Sequence, residues 1–208
     1  MKELIDSEML VQKLKAKNWV FAFGLLVLSS IITGLSVFLL IGTILLMAPT
    51  LGALVPIAGT IVAGFVAVFV IVEALIAALF LKAVVKTLTG TQKGYYEAFA
   101  SWSAMKLWFS FGMLASAILS IIPFIGLILS PLAFMFFAAK SFAVLFRALK
   151  ELYETDYQTV LSAIIIFAAI VIALSVVSFV VVVIGLAFAA LSIMQDFMKS
   201  LPLGLGGF

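Results

Sequence analysis

The chain has 208 residues, 66% hydrophobic and 10% charged, with a mean hydropathy of +1.41; a soluble domain carries about a quarter charged residues, so a water-surrounded core is excluded. The net charge of +3 gives no nucleic-acid footprint, because Lys and Arg are spread over segments flanking apolar runs rather than forming one stripe. The absence of Cys and His removes disulfides, Cys/His zinc sites, thiolate nucleophiles and imidazole bases.

The first segment, 1–18, mixes Glu3, Asp6 and Glu8 with lysines and lacks the pattern of a cleavable signal peptide. It predicts an amphipathic helix lying in the membrane interface, with Leu4, Val11 and Leu14 near one face and Lys13, Lys15 and Lys17 at the headgroups. A single membrane domain, 19–199, follows, and a Gly-rich tail, 200–208, ends the chain.

A crossing helix needs about 20 apolar residues. The first span is expected over about 19–48, closed by the turn signal Pro49-Thr50-Leu51-Gly52, and the second over about 53–81. The uncharged run Leu107 to Ala139 is too long for one helix and is interrupted by Pro123 and Gly126, which predicts spans over about 107–123 and 127–147. A fifth is expected over about 159–194, with folding back near Gly185 as the alternative. The fold class is therefore all-α, a polytopic transmembrane bundle of five spans.

Orientation follows from the basic residues. All but Lys199 fall into three clusters: Lys2, Lys13, Lys15 and Lys17; Lys82, Lys86, Lys93 and Lys106; Lys140, Arg147 and Lys150. Five spans put all three on one side, which places the N-terminus in the cytoplasm and the C-terminus outside. Trp19, Tyr95, Tyr96, Trp102, Trp108, Tyr153 and Tyr157 are expected to mark that same interface.

Within the spans Glu73 stands out, because a carboxylate in hydrocarbon is costly and needs a partner or a cavity. Counted from Lys82 and from Arg147, Glu73 and Lys140 lie at similar depths, so an intramembrane pair between them is expected, with a snorkelling Lys140 and a protonated Glu73 as the alternative. Small residues four apart, at Gly59, Ala63 and Ala67, at Ser30 and Gly34, and at Gly112, Ser116 and Ser120, suit close helix packing inside the bundle, with homo-oligomerisation the lesser alternative. The segment Thr89-Gly90-Thr91-Gln92-Lys93-Gly94 lacks the order of a phosphate loop and is read as a turn before an interfacial helix. No intramembrane protease constellation is available: the chain has no His, and Asp6, Asp156 and Asp196 lie outside the spans. No catalytic, cofactor or metal site is expected, and the chain is read as not an enzyme.

From about Thr87 to Val171 the chain resembles the Yip1 family of five-span membrane proteins. The carrying residues are Leu88-Thr89-Gly90-Thr91-Gln92-Lys93-Gly94-Tyr95-Tyr96-Glu97-Ala98-Phe99 after the second span, Ile122-Pro123-Phe124-Ile125-Gly126 in the turn between spans three and four, and Arg147-Ala148-Leu149-Lys150-Glu151-Leu152 before span five. The resemblance implies a polytopic scaffold. Eukaryotic members associate with prenylated Rab-type GTPases in vesicle traffic, but about 18 residues precede the first span here and the Asp-Leu-Tyr-Gly-Pro motif is missing, so Rab binding is not carried over. A prokaryotic-type member in the plasma membrane fits better.

Two function classes follow. The first is a membrane adaptor or membrane-organising protein whose cytoplasmic surface, with Lys86, Lys93, Tyr95, Tyr96, Arg147 and Lys150, receives a protein partner or anionic headgroups. The second is a small transporter or channel subunit using Glu73.

Overall fold

A computed structural model describes residues 7–46, 55–90, 93–122 and 124–173. Those residues form helices α1 (Ser7–Lys15), α2 (Trp19–Leu46), α3 (Val55–Thr89), α4 (Tyr95–Ser120), α5 (Ile125–Tyr153) and α6 (Tyr157–Ala173), and no strand. Four of them, α2 to α5, are long and apolar enough to cross a membrane, which marks the chain as an integral multi-pass membrane protein. Helix α6 is apolar but shorter. The rest of the expected fifth span, the point near Gly185 and the turn at Pro49 to Gly52 lie outside the described residues. Residues up to Ile164 form one compact unit; of a second unit beginning at Ile165, the described part is the apolar end of α6.

Helix α2 shows why hydrocarbon-embedded helices read inside out. Its buried positions include Ser29, Ser30, Thr33 and Ser36, whereas Trp19, Val20, Phe23, Ile31 and Leu35 are exposed. Lipid rewards apolar side chains on the outer face, and hydroxyls are tolerated inside because each finds a partner. Ser29, Ser30 and Ser36 donate to carbonyls of their own helix, and the Thr33 and Ser110 hydroxyls bond each other at 2.8 Å across to α4. We expect Ser110→Ala to cost about 0.6 kcal/mol and Thr33→Val with it to cost less than the sum, read as a double-mutant cycle of unfolding in mixed micelles.

The small-residue stripes bring helices together within the chain. A Cβ at Gly34 would stand 3.0 Å from the Ala63 carbonyl oxygen of α3, and one at Gly59 would stand 3.1 Å from the Phe38 ring of α2. At Gly112 it would come to 2.7 Å from Phe137 Cβ of α5, and Ser116 bonds Ser130 across the same pair of helices. Helices of the same chain therefore cover all three stripes.

Helix α4 packs against α2, α3 and α5, and every residue from Tyr96 to Met105 is buried. The sequence reading puts a span only over 107–123; the helix starts at Tyr95. The physical reason is local. Gly90, left-handed at φ 66°, ends α3 by donating its N–H to the Lys86 carbonyl, Gly94 stands at the start of α4, and no proline follows until Pro123. A helix enclosed on all sides carries no apolar stripe, so periodicity cannot find it.

Helix α1 buries the face expected of it: Leu10, Val11 and Leu14 are completely buried, and the helix packs on α5. Trp102 and Trp108 are buried along α4 and do not mark an interface, whereas Trp19 packs with Tyr95, Tyr96 and Phe99 where α2 and α4 begin.

Candidate functional site at the polar end of the bundle

The intramembrane carboxylate has a partner, and it is not the expected one. Glu73 Oε2 on α3 lies 2.6 Å from Lys106 Nζ on α4, with both side chains largely shielded. Lys106 also stands over the rings of Trp102 and Phe109, at 5.6 and 5.8 Å, so the cation is held on three sides. Lys140 instead lies over the Trp108 ring at 5.2 Å. The Glu73 to Lys140 pairing is thus corrected, for a geometric reason: α4 starts well before Lys106, which puts that lysine about 16 Å along the helix and within reach of α3.

The ends of α2, α4 and α5 meet at one end of the bundle together with α1, and charges gather there. Arg147 on α5 bonds Glu8 of α1 at 2.7 Å and Glu151 one turn on at 2.9 Å, and Lys15 reaches Glu151 at 3.1 Å. Tyr96 donates to the Leu14 carbonyl at 2.8 Å, which ties the end of α1 to α4. Beneath this layer Glu97 is only 3% exposed; Lys17 Nζ is 3.2 Å from its Oε1, while Oε2 lies beside Gly94 with no hydrogen-bond partner among the described residues. The Tyr153 hydroxyl is buried and likewise makes no hydrogen bond among the described residues.

The connection between α3 and α4 is pinned to the end of α5. Lys93 donates to the Leu152 carbonyl at 2.9 Å and pairs with Glu154 at 3.0 Å, and Tyr95 donates to the Leu75 carbonyl. The Lys93 ammonium holds the Glu154 carboxyl below the usual glutamate range. A carboxyl with a depressed folded-state pKa contributes stability above its unfolded pKa and loses it as pH falls through the folded value. We therefore expect this tie to be unchanged from neutral pH down to about 5 and to weaken only below that, as followed by amide exchange of residues 93–95.

The residues expected to receive a partner are therefore mostly engaged internally. Tyr96 is buried, Lys93 and Arg147 are ion-paired, Tyr95 is hydrogen-bonded, and Lys150 lies 3.5 Å from the centre of the Tyr157 ring. Lys86 is exposed and makes no ion pair among the described residues; the half-buried Lys82, one turn back on α3, makes none either. Glu8, Glu97 and Glu151 are not singled out as site residues by sequence, since isolated acids beside helix ends look like solvated surface.

Elsewhere, an apolar groove of about 710 Å³ runs along α2 from Trp19 to Ile31. Among the described residues no group of three His, Cys, Asp or Glu gathers that could hold a metal ion. Compared with known proteins, the chain matches no family model, no curated protein and no solved structure.

Proposed function

We propose that the protein is a non-enzymatic membrane adaptor or membrane-organising protein of the Yip1 type. In this reading it has five spans, with its N-terminus in the cytoplasm and its C-terminus outside, and sits in a prokaryotic plasma membrane. The observation that carries the reading is the assembly of charged residues from α1, α4 and α5 into one braced polar end, beside which Lys86 stands exposed. A rigid platform with a projecting cation suits recruitment of a partner better than it suits turnover. The transport alternative requires Glu73 to line a path. Its carboxylate is occupied by Lys106 and shielded by α4, which supports a structural role instead.

Lysine-directed crosslinking with mass spectrometry, on protein purified in mild detergent from its native membrane, tests the adaptor reading. A specific protein joined to Lys82 or Lys86 is the expected result, and self-crosslinks alone would reject it. Proton or ion flux in liposomes that disappears in Glu73→Gln would establish transport in its place.

A further inference from the structure

We propose that α1 has two mutually exclusive seats, the observed one on α5 and a second on an acidic bilayer surface, and that the lipid charge decides between them. The inference rests on α1 and its contacts and does not depend on the adaptor reading. Only Ala16, Lys17 and Asn18 separate α1 from the membrane helix α2, so even fully extended they carry α1 no more than about 14 Å from the start of that span. A helix of nine residues does not persist alone in water. It therefore needs a surface on which to fold.

Both seats use the same side chains. Leu10, Val11 and Leu14 form the face buried in the bundle, and they are also the face an interfacial helix would sink into the acyl boundary. The apolar face of α1 is covered either way, so the apolar term that separates the seats is the surface of α5 that release bares, and it favours docking equally in both lipids. The charges choose. In the docked state Lys15 and Lys17 pair with Glu151 and Glu97 while remaining 49% and 72% exposed, and Arg147 holds the exposed Glu8. The Lys15–Glu151 and Arg147–Glu8 pairs are open enough to favour docking by at most about fivefold each, whereas Lys17 closes over a carboxylate only 3% exposed and favours docking by more, and Lys13 stands 5.7 Å from the centre of the Phe21 ring.

On an acidic surface each of Lys13, Lys15 and Lys17 favours binding by about fivefold. These three lysines are concentrated in the part of the segment nearest α2, and Glu8 is at the far end. Docking also holds Lys17 in the left-handed region, at φ 53°, an unfavourable conformation for a side chain without special local bonding. Extension of the hinge relieves it. On neutral lipid the lysines gain nothing by leaving, and the seat on α5 wins. On acidic lipid the balance reverses, and release uncovers Tyr96, Glu97, Arg147 and Glu151.

The chain contains no cysteine, so Gln12→Cys with Gln158→Cys supplies the only two thiols for spin labels, both at exposed positions. Distances are measured on the full chain in nanodiscs of phosphatidylcholine alone and with about 40% phosphatidylglycerol. Arg147→Glu, which faces Glu8 with a like charge, provides the released distance in neutral lipid. We expect one docked distance in phosphatidylcholine and at least a fivefold rise of the released population with phosphatidylglycerol, a rise cut about fivefold by Lys13→Gln. A distance distribution that is the same in both lipids, with Arg147→Glu still showing release, would overturn the proposal.

Discussion

Glu73→Gln is expected to destabilise the bundle by about 3 kcal/mol, because it strands the Lys106 ammonium among Trp102, Phe109 and lipid-facing apolar groups. Lys106→Met should cost a similar amount through the stranded carboxylate. The double substitution should cost far less than the sum, under about 2 kcal/mol, since two charges that needed each other are replaced by groups that need no partner. Lys140→Met combined with Glu73→Gln should be additive within about 0.5 kcal/mol, as the Lys140 ammonium lies over Trp108 and not against the carboxylate. Unfolding in dodecyl sulfate mixed micelles reads all of these. Additivity of Glu73→Gln with Lys106→Met would remove the pair from the account.

The second large effect is steric. Gly126 opens α5 at the tight turn after α4, and a Cβ there would collide with the Leu119 carbonyl oxygen and come to 3.1 Å from Ser120 Cα. Both obstacles are backbone, so no side-chain rotation makes room. Gly126→Ala is expected to cost about 3 kcal/mol and to loosen the α4–α5 hairpin, visible as faster backbone amide exchange around Ser116 and Ser130, whose hydroxyls meet across it. Gly24→Ala on α2, where nothing lies within 4 Å of the new methyl, is the matched control and should change little.

These two sites also show what could and could not be read from the residues. The apolar runs, the turn near Gly126, the close-packing stripes and the need of Glu73 for a partner all follow from the sequence, because hydrocarbon punishes charge and backbone exposure without regard to context. The choice of partner went astray through one boundary. Lys106 looks like the edge of a span when each charge is counted alone, yet neutralised by Glu73 and covered by two aromatic rings it sits eleven residues inside α4. The same depth count that selected Lys140 selects Lys106 once the helix begins at Tyr95. Glu97 had no such signal: a glutamate after two tyrosines and a glycine-rich turn has the composition of a surface loop, yet it lies in the buried stretch of α4 with the Lys17 ammonium against it.

The burial of α4 from Tyr96 to Met105 bears on how the protein is made. Of the four long helices it has the lowest hydropathy, because Glu97, Ser101, Ser103 and Lys106 are placed for neighbouring helices and not for lipid. Such a segment is a poor candidate for leaving the insertion machinery by itself. Its partition into the bilayer is coupled to the arrival of α5, with which it forms a hairpin, and to α2 and α3 already waiting in the membrane. A nascent chain stopped just after Ser120 should therefore hold α4 at the translocon, and one extended through Tyr153 should release it, so that biogenesis proceeds by hairpins and not by single helices.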